Sequence, residues 1–265
     1  MAFGGGTSGN RNRAYGSPMS RRGLLQTGAL CLVGLVSPLA GCGGQTPERG
    51  GGQKSAVREP QALGGSGAEG EKVEVRVDGG AAPGVLDAAE GATVAVVMVG
   101  GMAGGIEGPS GIYPKLAERF RDNGITALRL DYREPGDLSS CTDDLLAAVG
   151  ALGRGGAKKV ALIGWSFGGA VAIRAGVASE LVVGVATVAS ATQGTEDIGK
   201  LSPEKCLLLI HGSRDTSVVP SLARYLYRKA GEPKELVFYE GDGHDIEIHT
   251  EVMLERVMNS IRNGL

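Results

Sequence analysis

Ser166 lies in Gly164-Trp165-Ser166-Phe167-Gly168, the pattern G-x-S-x-G. A serine hydroxyl is a weak nucleophile until a base takes its proton, and the whole chain holds 3 histidines, His211, His244 and His249. His244 sits in Gly241-Asp242-Gly243-His244-Asp245, a glycine-rich loop that can swing an imidazole over the edge of a sheet. His211 ends an apolar run and suits support of that edge through hydrogen bonds, while His249 stands near a helix start and reads as solvated. The base is therefore assigned to His244. A carboxylate must then orient the imidazole and stabilise its protonated form. Asp215, in His211-Gly212-Ser213-Arg214-Asp215, fits from 29 residues before His244, with Asp242 and Asp245 as the local competitors. The order serine, acid, histidine matches one of the three known convergent orders.

Acyl transfer also needs amide donors for a tetrahedral oxyanion. One is expected from the N–H of Phe167, the residue after the nucleophile. The other is expected from Gly100-Gly101-Met102-Ala103-Gly104-Gly105, with Met102 as the choice and Ala103 as the alternative.

These residues need elements to hold them. Residues 159–163 form a strand pattern running straight into the G-x-S-x-G turn, and the small residues 168–179 form the helix leaving it. A serine on so sharp a turn has its hydroxyl thrust out at the sheet edge, and the flanking glycines avoid collisions. The β-branched run 93–99 reads as a strand buried on both faces. Residues 112–123 place Ile112, Leu116 and Phe120 on one face of a helix ended by Gly124. Strands are expected at 73–77, 126–130, 181–189, 207–211 and 235–239, and helices at 143–152, 221–230 and 250–262. The helix at 143–152 is expected to be capped by Ser140 or Thr142, with acids in its first turn. This alternation predicts right-handed βαβ units and an α/β domain over 71–265: a mostly parallel sheet covered by helices on both faces.

With the elbow GWSFGG after KKVALI, LRLDYREPGD after the second parallel strand, LLLIHGSRDTSVVP around Asp215 and GDGHD around His244, the chain resembles the α/β-hydrolases. It is closest in style to their dienelactone hydrolase and serine aminopeptidase-like branches. The resemblance implies hydrolysis of an ester, amide, thioester or lactone through an acyl-serine, with no metal or organic cofactor. Many relatives carry His-Gly where this chain has Gly100-Gly101, so the oxyanion loop lacks a usual anchor. The short stretch between Ala189 and Cys206 leaves no room for a large cap domain, which points to an esterase on small or exposed esters. The same three residues would serve an acyltransferase or a peptidase. A catalytically silent binding lipoprotein is the non-enzyme alternative, and it would make the register of all three a coincidence.

The chain has 265 residues, ample for a core without disulfide or metal staples. Its 27 basic and 29 acidic side chains give no sign of nucleic acid as a partner. Of 46 glycines, 18 precede residue 71, so the front end is a different material. Arg11, Arg13, Arg21 and Arg22 precede an apolar run from Ala29 to Ala40, broken by Gly34 and Pro38. That is a signal peptide over 1–41 rather than a membrane span. Ser20-Arg21-Arg22-Gly23-Leu24-Leu25 resembles a twin-arginine export signal. Leu39-Ala40-Gly41-Cys42 resembles a bacterial lipobox, which would make Cys42 the lipidated first residue of an exported protein on the outer face of the cytoplasmic membrane. Residues 42–70 read as a flexible tether. Loss of the four leader arginines from 27 basic residues against 29 acidic ones would leave a net charge of −6. Cys141 and Cys206 are expected as free thiols.

Overall fold

The computed structural model describes residues 70–264 apart from Ser202. The expected signal peptide, Cys42 and nearly all of the tether lie outside the described residues. The elements in chain order are β1 Glu71–Val77, β2 Gly80–Asp87, β3 Val94–Val99, α1 Ile112–Asp122, β4 Thr126–Leu130, α2 Leu138–Arg154, β5 Lys159–Trp165, α3 Phe167–Ala178, β6 Val182–Val188, β7 Cys206–Gly212, α4 Pro220–Lys229, β8 Lys234–Tyr239 and α5 Thr250–Gly264. The strands form one 8-stranded sheet in the order β1-β2-β4-β3-β5-β6-β7-β8. From β4 to β8 all neighbours run parallel, and β1 and β2 add antiparallel pairs at one edge.

Both faces are covered. Val97 and Val99 of β3 join Leu145 of α2, Val171 of α3 and Leu226 of α4 on one side. Val96 and Met98 join Leu116 and Phe120 of α1 and Val257 and Ile261 of α5 on the other. Period-two alternation across a doubly covered sheet turns every residue of β3 toward an apolar layer, hence its unbroken hydrophobic run. Among the described residues, the β6–β7 connection holds a single 3-10 turn over Ile198–Leu201 and contributes no large cap over the sheet.

Two elements depart from the expected pattern. Strand β2, GAAPGVLD, is hidden in sequence by its glycines and proline. Pro83 is tolerated because the β2–β4 ladder begins only at Gly84, so its missing N–H removes no bond of that ladder. Helix α2 begins at Leu138, five residues before the expected start, and its cap is neither Ser140 nor Thr142. The Asp137 carboxylate accepts from Ser140 N at 2.7 Å, so the earlier carboxylate satisfies the orphan amide and the helix propagates from there. Asp144, expected in the first turn, lies in the second turn of the longer helix, fully buried and paired with Arg133.

Candidate active site

Three strand ends meet along the carboxyl edge of the sheet. Strand β5 delivers Ser166 with φ 57 and ψ −119, a strained left-handed turn held from both sides. Its N–H donates to Val188 O at 2.8 Å, and its carbonyl accepts from Gly169 N at 3.0 Å and Ala191 N at 2.9 Å. A Cβ on Gly164 would run into the carbonyl of Gly168, and one on Gly168 into the carbonyl of Gly100. The expected steric need for glycine at the elbow is thus explicit: β5, α3 and the β3 loop touch backbone to backbone.

Strand β8 leads into the loop bearing His244, whose Nε2 lies 2.9 Å from Ser166 Oγ. Strand β7 leads to Asp215, whose Oδ2 lies 2.8 Å from His244 Nδ1. With Nδ1–H donating to the carboxylate, Nε2 presents its lone pair to the serine O–H. Asp215 is almost fully buried, and its Oδ1 accepts from Ser217 N at 2.8 Å and Val218 N at 2.9 Å. Four atoms in a row therefore form a path along which a proton can pass from the serine oxygen to the imidazole.

The remaining histidines and acids divide differently from the sequence expectation. His211 does bond at the edge, with Nε2 2.7 Å from Val218 O. His249 is not simply solvated: it pairs with Asp242 Oδ2 at 2.5 Å and its ring stacks on Tyr239 at 5.2 Å between centroids. Asp242, a competitor for the third position, is spent on His249 and on Ile248 N at 2.7 Å. Asp245, the other competitor, bonds among the described residues through its carbonyl, which accepts from Ser110 Oγ at 2.9 Å, and not through its carboxylate.

Met102 is exposed in a turn closed by Gly104 N donating to Gly101 O at 3.1 Å. The anchor missing from Gly100-Gly101 is supplied by residues that sequence reasoning passed over. Tyr132 Oη donates to Gly100 O at 3.2 Å, Tyr113 Oη to Val99 O at 2.9 Å, and Asp131 Oδ1 accepts from Gly105 N at 2.7 Å. Burial pushes both phenols far above their usual range, so they remain protonated donors. The adjacency of β3 and β4 explains this: Asp131 and Tyr132 leave β4 beside the turn that leaves β3, a link LRLDYREPGD carries in sequence. Trp165 backs the same turn and donates from its indole N–H to His244 O at 3.4 Å.

Among the described residues, no group of three or more His, Cys, Asp or Glu side chains could hold a metal ion, and no helix is long and apolar enough to cross a membrane. Cys141 and Cys206 are free thiols, and burial pushes the Cys141 thiol up to about 11.

Residues 96–200 match the model of the alpha/beta hydrolase family. Among solved structures, Est1E from Butyrivibrio proteoclasticus aligns over 73% of this chain and 98% of its own, with TM-score 0.64 and 17% identity. A dienelactone hydrolase from Anabaena variabilis aligns over 74% of this chain and 97% of its own, with TM-score 0.66 and 20% identity. A predicted CIB-like hydrolase from Thermoplasma acidophilum aligns over 73% and 98%, with TM-score 0.61 and 19% identity. No curated protein matches the sequence.

Proposed function

We propose that this chain, an α/β-hydrolase by fold, is a serine hydrolase that cleaves a carboxylic ester or related acyl bond. The observation that carries the reading is the row Ser166 Oγ, His244 Nε2, His244 Nδ1, Asp215 Oδ2, at 2.9 and 2.8 Å. Ser166 Oγ attacks the carbonyl carbon as its proton passes to His244 Nε2, and Asp215 stabilises the imidazolium. The oxyanion is received by the N–H of Phe167, at the start of α3, and by that of Met102, which has no hydrogen-bond acceptor among the described residues. Collapse breaks the bond to the leaving alcohol, which takes the proton from His244. Water activated by the same imidazole then attacks the acyl-serine and releases the acid.

The open edge supports a substrate class. Without a cap, no wall encloses a long acyl chain, yet Met102, Val219 and Ile248, all on loops leaving the carboxyl ends of strands, are exposed. Small or surface-exposed esters with an apolar group fit such a rim better than triglycerides. The detergent-solubilised full chain, exposed to a fluorophosphonate probe and to short p-nitrophenyl esters, tests the reading. Labelling and turnover are expected, and both are lost in Ser166→Ala and His244→Ala. A wild-type protein that neither labels nor turns over would leave a binding fold with a silent site.

The leader supports export and lipidation of Cys42, which would hold the domain by a tether at the outer face of a bacterial membrane. Incorporation of labelled fatty acid, abolished by Cys42→Ser, is the expected result. Label that survives the substitution overturns the anchor.

A further inference from the structure

We infer that His211 is a second histidine of the same site, a positioning residue that braces the 215–218 turn through Val218 O and so fixes the Asp215 carboxylate. The inference rests on the serine-hydrolase reading for its catalytic meaning, and on its own geometry for the rest.

The imidazole of His211 is fully buried near the end of β7, a strand whose preceding residues Leu207, Leu208, Leu209 and Ile210 are apolar. A polar ring in such a run needs partners. Its Nε2 has one, Val218 O at 2.7 Å, and lies 3.2 Å from Asp215 Oδ2. The carbonyl has no proton to give, so Nε2 carries the hydrogen and donates it to Val218 O, with the Asp215 carboxylate beside the bond. In a neutral ring this leaves Nδ1 as a bare lone pair, and Nδ1 is buried without a hydrogen-bond partner among the described residues. Burial pushes the ring away from its protonated form, in keeping with that neutral state. An orphaned acceptor is a cost to stability that a phenylalanine here would avoid. What the histidine adds is its contact with the 215–218 segment.

That contact reaches the oxygen that matters. His211 Nε2 lies 3.2 Å from Asp215 Oδ2, the oxygen that receives His244 Nδ1–H, while Oδ1 receives two backbone amides. By tying Val218 O, His211 braces the turn whose Ser217 and Val218 amides, together with His244, hold the carboxylate in one orientation. The charged or titratable groups around His211 are Asp215 on its own loop, His244 from the loop after β8, and Arg224 of α4, which lies over the Phe238 ring neighbouring His211.

The test compares His211→Phe, which keeps a ring and loses the donor, with His211→Gln, which keeps an N–H at that place, both in the full chain. With p-nitrophenyl acetate, His211→Phe is expected to lower kcat about tenfold with KM changed less than twofold. His211→Gln should recover most of the loss. Wild-type kcat in His211→Phe would overturn the inference, as would a loss that His211→Gln does not recover. Should His211→Phe fail to fold, imidazole ¹⁵N spectra of the wild type decide: His211 is expected neutral and Nε2-protonated from pH 5 to 8, with its N–H signal shifted by Asp215→Asn. An Nδ1-protonated or titrating His211 refutes the proposal. These spectra do not depend on turnover, so an inert enzyme would sink the hydrolase reading while leaving this one decidable.

Discussion

Asp242 and Asp245 stand on either side of His244 in sequence, yet only Asp242 should matter to catalysis, because it clamps the loop that presents the imidazole. Its carboxylate is buried and bridges Ile248 N at 2.7 Å and His249 Nδ1 at 2.5 Å, closing the loop between them. The loop resists closure: Ile246, β-branched and fully buried, has φ 52, a left-handed conformation that costs about 1–3 kcal/mol. Asp242→Ala removes a charge-assisted bond to Ile248 N worth about 1.5–3 kcal/mol. The His249 contribution is smaller, since that side chain is 35% exposed and can turn to water. At 1.36 kcal/mol per tenfold, loss of the Ile248 bond alone corresponds to roughly a 10- to 150-fold fall in kcat/KM if the loop opens by that amount. The assay is p-nitrophenyl acetate turnover together with the rate of fluorophosphonate labelling, since both need His244 within reach of Ser166. Asp245→Ala is the control, because that side chain makes no hydrogen bond among the described residues. The reasoning fails if Asp242→Ala stays within threefold of wild type, or if Asp245→Ala loses as much.

Gly168→Ala would push a methyl group into the backbone carbonyls of Gly100 and Val99, separating the elbow from the oxyanion turn; displacement on the order of 1 Å should cost about a hundredfold in labelling rate, and near-normal labelling would contradict the packing. His211 enters the folded state with its protonation depressed, so folding releases protons just below its unfolded value of about 6.5. Its stabilisation is complete above that pH and declines as pH falls toward the depressed folded value. The urea midpoint should drop between pH 7.5 and 5.5, with a shallower drop in His211→Phe. The Arg129–Asp87 pair is buried, at 9% and 4% side-chain exposure. Asp87→Ala strands the guanidinium and should cost about 3–5 kcal/mol by urea unfolding, whereas the joint replacement Asp87→Leu with Arg129→Met should be close to neutral; equal losses in both proteins would refute this account.

The most legible elements were those written by short-range rules. The β-branched run of β3, the four-residue spacing of Ile112, Leu116 and Phe120, and a G-x-S-x-G turn between a strand and a small-residue helix each follow from side-chain periodicity and turn sterics. Strand β2 was not legible, because its Gly and Pro carry no strand preference; it exists because β1 and β4 offer it partners on both sides. Helix α2 was found but misplaced at its start, since two serine or threonine caps competed with an earlier aspartate.

The site divides along the same line. Sequence alone determined that one elbow serine, few histidines and an acid on a loop after a strand were available, and in which order they come along the chain. Tertiary structure decided which of them meet: Asp215 reaches His244 across 29 residues, while Asp242, two residues from that histidine, turns to His249. It also supplied Tyr113, Tyr132 and Asp131 to hold the glycine turn after β3 and placed His211 on Val218 O beside the carboxylate. The reason is geometric. Turn sterics and periodicity act over a few residues and leave a mark in the local sequence, whereas hydrogen bonds between loops depend on which strands the sheet order sets side by side.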